Sequence, residues 1–124
     1  MNEQLPLAGM QVLVVEDMYM IAMDLCDRLT DCGCSIVGPA ASVKQALEKI
    51  EGVALDGAVL DVNLDGERSF PIAESLASRG VPFLFLSGYD SATIIPEEFL
   101  TVQRLSKPVD IKALTSAIAR FRDK

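Results

Sequence analysis

The residues able to do chemistry in this chain are few, and each closes a short apolar run. Glu16-Asp17 follows "MQVLVV", Asp61 ends "GAVLD", Ser87 follows "PFLFL", and Lys107 stands behind "TVQRLS" and before Pro108. Histidine is absent, which removes Ser-His-Asp and Cys-His nucleophile pairs, imidazole zinc sites and histidine bases. Three carboxylates brought together repel unless protonated or neutralised by a cation. With only oxygen donors at hand they suit a hard divalent ion, Mg2+ first and Mn2+ as its substitute. An aspartate beside such an ion and a lysine ammonium is set up to accept a phosphoryl group, with a hydroxyl donating to one of its oxygens. Singly, each feature is an ordinary helix start, turn or strand end; the ordered set, one per strand end, is what chance explains poorly.

The elements that must position these residues alternate along the chain. Residues 10–15, 34–38, 57–61, 82–86 and 101–105 read as strands. Between them, Met18, Ile21, Ala22, Leu25, Leu29 and Cys32 form one helix face, with Gly33 as the stop. Ser42 and Gln45 form a capping box opening a helix to about Ile50. Pro71 to Gly80 bounds a third helix, and Asp110 caps a last one carrying Ile111, Leu114, Ala117, Ile118 and Phe121 on one face. Residues 90–99 predict a short or irregular helix, because Thr93, Ile94 and Ile95 resist helix and Pro96 interrupts it. Strands alternating with helices imply right-handed crossovers and a parallel sheet covered on both faces, which binds ligands beyond the carboxyl ends of its strands.

The stretch "AVLDVNLDGER" also matches the first half of a calcium loop at Asp61, Asn63, Asp65 and Gly66. Its second half fails. The last loop position, where a bidentate glutamate is required, is Ile72, with Pro71 before it. Asp65-Gly66 reads instead as an ordinary turn.

The tracts "VLVVED", "AVLDVNLDGE", "FLFLSGYD" and "LSKP" together resemble the receiver domain of bacterial two-component response regulators over nearly the whole chain. The resemblance implies an α/β fold, a (βα)5 doubly wound parallel five-stranded sheet in flavodoxin-like order 2-1-3-4-5. It implies that Asp61 is the phosphoacceptor. Asp17 would ligate Mg2+ directly, Glu16 largely through water, and Asn63 through its backbone carbonyl. Ser87 takes the switch hydroxyl's place and Lys107 that of the phosphoryl-pairing lysine. Asn63 and Tyr89 fall at the two positions that tune phosphoryl lifetime. Arg104 stands where most receivers carry a switch aromatic, and Val109 where phenylalanine is frequent. The tract Phe85-Leu86-Ser87-Gly88-Tyr89 is similar to the subgroup written Phe-Ala-Thr-Gly followed by Gly or Tyr, whose members tend to lack that aromatic. Output is then expected through the segment 90–99.

The chain of 124 residues is read as a single receiver domain, 1–124, with residues 1–8 as a mobile N-terminal extension. Lys+Arg 11 against Asp+Glu 18 gives −7, which argues against nucleic acid and anionic membranes as partners. No apolar run reaches the roughly 18 residues of a membrane span, so a cytoplasmic protein is expected. Cys26, Cys32 and Cys34 lack a disulfide-framework spacing and read as reduced, apolar filling. The expected donor is a sensor histidine kinase or a histidine phosphotransfer protein, and the downstream partner is left open. The domain is not a turnover enzyme beyond its own phosphorylation and slow dephosphorylation. Two rivals stand beside this reading. One is a degenerate receiver that docks without phosphorylation. The other is a haloacid-dehalogenase-like phosphatase, which usually needs an acid where Asn63 sits. By the resemblance, a face including the first helix meets the kinase; Met18, Tyr19 and Met20 either adapt to that partner or fill the core.

Overall fold

A computed structural model describes residues 5–88 and 95–123. Its centre is β1 (Gln11–Val15), which pairs in parallel with β2 (Ser35–Ala40) on one side and β3 (Gly57–Asp61) on the other. β6 (Phe83–Ser87) and β7 (Arg104–Ser106) extend the sheet in the order β2-β1-β3-β6-β7. In a count of the five long-range strands this is the expected 2-1-3-4-5.

Both faces of the central strands are buried, and the period of two along each strand sorts its side chains. Leu13, Val15, Ala58, Leu60 and Phe85 face α2 (Val43–Ile50) and α3 (Phe70–Ser78). Val12, Val14, Val59, Leu84 and Leu86 face α1 (Tyr19–Asp31) and α4 (Ile111–Ala119). Helices on both sides are what a continuous apolar run such as "QVLVV" demands, because it has no polar face to leave in water.

Local chemistry fixes the helix starts. The Ser42 hydroxyl accepts from the Gln45 amide at 3.1 Å, and the Gln45 side chain accepts from the Ala41 amide at 2.9 Å. The first bond is the expected cap; the return bond lands on Ala41, one residue before the N-cap, rather than on the amide of Ser42 itself. Asp110 likewise accepts from the Lys112 amide at 3.1 Å. Leu7, inside the stretch expected as an extension, is fully buried, and its amide donates to the Cys32 carbonyl at 2.8 Å.

Two strands depart from their expected bounds by more than one residue. β2 runs two residues further, to Ala40. β7 begins at Arg104 rather than Thr101, because the Val102 amide donates to Phe99 at 3.1 Å and closes a turn there. Within the span 90–99, where a short or irregular helix is expected, the described residues hold a 3-10 helix, Glu97–Phe99; residues 89–94 lie outside the described residues. Phe99 anchors that turn, its ring 6.0 Å from Phe85 and 5.9 Å from Phe83 in edge contacts.

Asp65-Gly66 is more than an ordinary turn. It closes a two-stranded hairpin, β4 (Asn63–Leu64) with β5 (Glu67–Arg68), in which Asn63 lies opposite Arg68. Asp65 and Gly66 have φ of 52° and 93°, the positive pair that a tight two-residue hairpin requires.

Candidate functional site

Parallel strands end at one edge of a sheet, so β1, β3, β6 and β7 deliver their last residues together. β1 and β3 are neighbours although β2 lies between them in sequence, and this reversal of strand order opens a crevice above them. Glu16 follows β1 directly and is 1% exposed; Asp61 is the last residue of β3 and is 4% exposed. Asp17, half-buried, is next along the chain. Oxygens of the three carboxylates lie within 4.8 Å of one another. Ser87, the last residue of β6, is buried at the same edge.

Lys107 reaches into this group from behind β7. Its Nζ donates to Asp61 Oδ2 at 2.8 Å and to Glu16 Oε2 at 3.0 Å. The backbone that launches it is held by the Lys107 amide donating to the Ser87 carbonyl at 3.0 Å. The following peptide, Lys107–Pro108, is cis. Glu16 also accepts from the Met18 amide through Oε1 at 3.2 Å, which ties the carboxylate to the start of α1.

The charges explain one another. Burial pushes Lys107 toward its neutral form, but the hydrogen bonds it donates to Asp61 and Glu16, and their charges, outweigh it and raise its pKa. Lys107 therefore stays an ammonium. Asp17 is raised above the usual carboxylate range, by burial first and by the neighbouring Glu16 charge, against the opposing pull of a backbone hydrogen bond and of Lys107. A largely buried acid cluster served, among the described residues, by the Lys107 ammonium is short of positive charge, and its all-oxygen donor set fits a hard divalent cation.

Among the expected residues, Glu16, Asp17, Asp61, Ser87 and Lys107 come to one edge. Asn63 lies two residues beyond Asp61, with its side chain turned into the hairpin. Its Oδ1 accepts from Arg68 Nη1 at 2.9 Å and from the Gly66 amide at 3.3 Å. Arg104 opens β7, exposed and opposite Phe85 in register, away from the strand ends. Tyr89 lies outside the described residues. Met18, Tyr19 and Met20 do not fill the core; they are 56%, 71% and 78% exposed, and Met20 lines a groove of about 410 Å3 between α1 and the Lys107-Pro108-Val109 segment. Sequence reasoning missed Glu67 and Arg68. Glu67 Oε1 accepts from the Val43 amide at the start of α2, 3.2 Å away. The signal that could have found both is the Asp-Gly pair, a strong short-range hairpin cue.

Residues 12–119 match the family model described as the response regulator receiver domain. The chain belongs to that family. SdrG from Sphingomonas melonis Fr1 matches this receiver domain with a TM-score of 0.79 and 37% identity, over 94% of this chain and 98% of that one. SdrG from Pseudomonas melonis Fr1, solved in a BeF3-activated conformation, matches at 38% identity and a TM-score of 0.74, over 90% and 95%. The transcriptional regulatory protein PdtaR of Mycobacterium tuberculosis is 28% identical over 120 residues, 91% of this chain. The receiver domain spans 58% of PdtaR's length. As a receiver domain, the chain is a signalling module of two-component systems rather than a metabolic enzyme. Among the described residues, no helix is long and apolar enough to cross a membrane.

Proposed function

We propose that this receiver domain is a phosphorylation-controlled switch in which Asp61 accepts a phosphoryl group from a phosphohistidine. The donor is a sensor kinase or a phosphotransfer protein, consistent with the absence of histidine in the chain itself. The observation that carries the reading is the Lys107 ammonium bridging Asp61 and Glu16 inside the three-carboxylate cluster.

In the reaction an Asp61 carboxylate oxygen forms the new bond to phosphorus. The phosphorus–nitrogen bond of the donor breaks, and its electron pair leaves on the imidazole. Lys107 holds positive charge beside the transferred group, and the Ser87 hydroxyl donates to one of its oxygens. Asp17, Asp61, the Asn63 carbonyl and, through water, Glu16 would hold Mg2+, with Mn2+ as a substitute; the ion supplies further charge neutralisation to the phosphoryl oxygens. A BeF3-activated conformation in a relative 38% identical supports a site of this kind.

Arg104 in place of a switch aromatic favours output through the β6–β7 connection, where Phe99 rests on Phe85, two residues before Ser87. The downstream target is a protein, and the domain works in the cytoplasm.

Intact mass after incubation with acetyl phosphate tests the reading. One Mg2+-dependent phosphoryl adduct is expected on the wild type and none on Asp61→Asn. No adduct under any condition would favour a module that docks without phosphorylation. Sustained hydrolysis of a generic phosphomonoester would favour an aspartate-nucleophile phosphatase.

A further inference from the structure

The hairpin after Asp61 holds an arrangement that phosphoryl acceptance does not use. Val62, between Asp61 and Asn63, is fully buried in the core, so the polar residues flanking it share the opposite, outward side. Asn63 is therefore the first side chain beyond the acceptor on the crevice side. Both acceptor sites of its carboxamide oxygen are taken, by Arg68 Nη1 at 2.9 Å and the Gly66 amide at 3.3 Å. A carboxamide oxygen has two lone pairs, and its nitrogen only donates. Two donors converging on one atom fix which end of the amide is the oxygen.

We infer that Arg68 is a positioning residue that locks Asn63 as a donor-only group and so slows loss of the phosphoryl group from Asp61. The inference rests on the phosphoacceptor reading above. In hydrolysis a water oxygen attacks phosphorus and the bond to the Asp61 oxygen breaks, its electron pair staying on the carboxylate. Both water protons leave with phosphate as H2PO4−. A side chain aids that attack by accepting a hydrogen bond from the water and so aiming its oxygen lone pair at phosphorus. The Asn63 oxygen cannot do this while Arg68 and Gly66 occupy it. Its nitrogen can only donate, which turns a nearby water's lone pair toward Asn63 and away from phosphorus. Arg68 is exposed and lies opposite Asn63 in the β4–β5 register, so it can be changed without opening the core.

The test starts from protein phosphorylated with acetyl phosphate and Mg2+ and then desalted, with decay of the adduct followed by intact mass. Arg68→Ala is expected to lose the phosphoryl group about threefold to tenfold faster than wild type, the scale of one ordinary hydrogen bond. Arg68→Lys, which restores one donor, is expected to recover part of the lifetime. In an Asn63→Ala background, adding Arg68→Ala is expected to change nothing. Decay of Arg68→Ala at or below the wild-type rate overturns the inference. So does an acceleration that persists in the Asn63→Ala background, since Arg68 would then act by its charge alone. Far-ultraviolet circular dichroism of each variant guards against a folding defect. Absence of any adduct on the wild type would remove the phosphoacceptor reading and this inference together; an adduct with unaltered decay removes only the inference.

Discussion

Lys107 is the residue on which the charge balance of the crevice turns. Its side chain is 26% exposed, whereas those of Glu16 and Asp61 are 0% and 6% exposed. Removing it leaves two buried carboxylates without their shared counter-charge, a loss of about 1–3 kcal/mol once partial exposure is allowed for. Lys107→Ala should therefore melt lower than wild type without metal, and added Mg2+ should recover more stability in the variant than in the wild type. Its Mg2+ affinity should be equal or slightly tighter, because a positive charge has left an acidic site, while adduct formation with acetyl phosphate should fall. Calorimetric titration with Mg2+ and intact mass check the two halves. Equal behaviour in both assays would remove Lys107 from the site. At this scale the sequence was largely legible: Glu16, Asp17, Asp61, Ser87 and Lys107 each end an apolar run, and parallel pairing makes such ends converge. Arg68 was missed, because a charged side chain is the default in the polar stretch "DGER" and the Asp-Gly pair, which would have set it opposite Asn63, was read as an ordinary turn.

The elements were readable where local chemistry decides them and less so where tertiary contacts do. β3 was read with its true limits, and Ser42 and Asp110 cap their helices as expected. Thr101 and Val102 suit a strand by composition, yet the turn at Phe99 takes them, and nothing near them in sequence announces the Phe83 and Phe85 rings that hold it. The two-residue strands of the hairpin are too short to show any period. Gly57 shows how tightly two elements can bind one position. A Cβ there would run into Cδ2 of the Phe121 ring, which closes over the start of β3. Gly57→Ala is expected to cost about 1–3 kcal/mol, the usual penalty for overpacking. It should appear as a lower urea midpoint at unchanged slope. Phe121→Leu should relieve part of that loss, so the double variant should be more stable than the two single losses added together.

For the whole molecule, the two hydrophobic layers share one sheet, so opening either exposes strands that support the other. Cys34 reports on that cooperative event. Burial pushes its thiol up to about 11, with the neighbouring Cys32 and Cys26 adding to the effect and a backbone hydrogen bond opposing it. The raised value means that the folded protein keeps the proton which the unfolded chain loses near pH 9. This contribution is intact below pH 9 and is lost as pH climbs toward 11. Between pH 8 and pH 10 the wild type should lose about 1 kcal/mol more than Cys34→Ala, measured by urea unfolding at both pH values. Parallel losses in the two proteins would mean that the thiol ionises equally well in the fold.

The same wholeness bears on how the protein comes into being. Lys107 stands 91 residues from Glu16 and 46 from Asp61. On a ribosome the acids are made well before their counter-charge. A chain interrupted before β7 has Glu16 and Asp61 but not the ammonium that balances them. The balanced crevice thus arrives only once β7 and the lysine behind it have been made, and a product cut short of them lacks it.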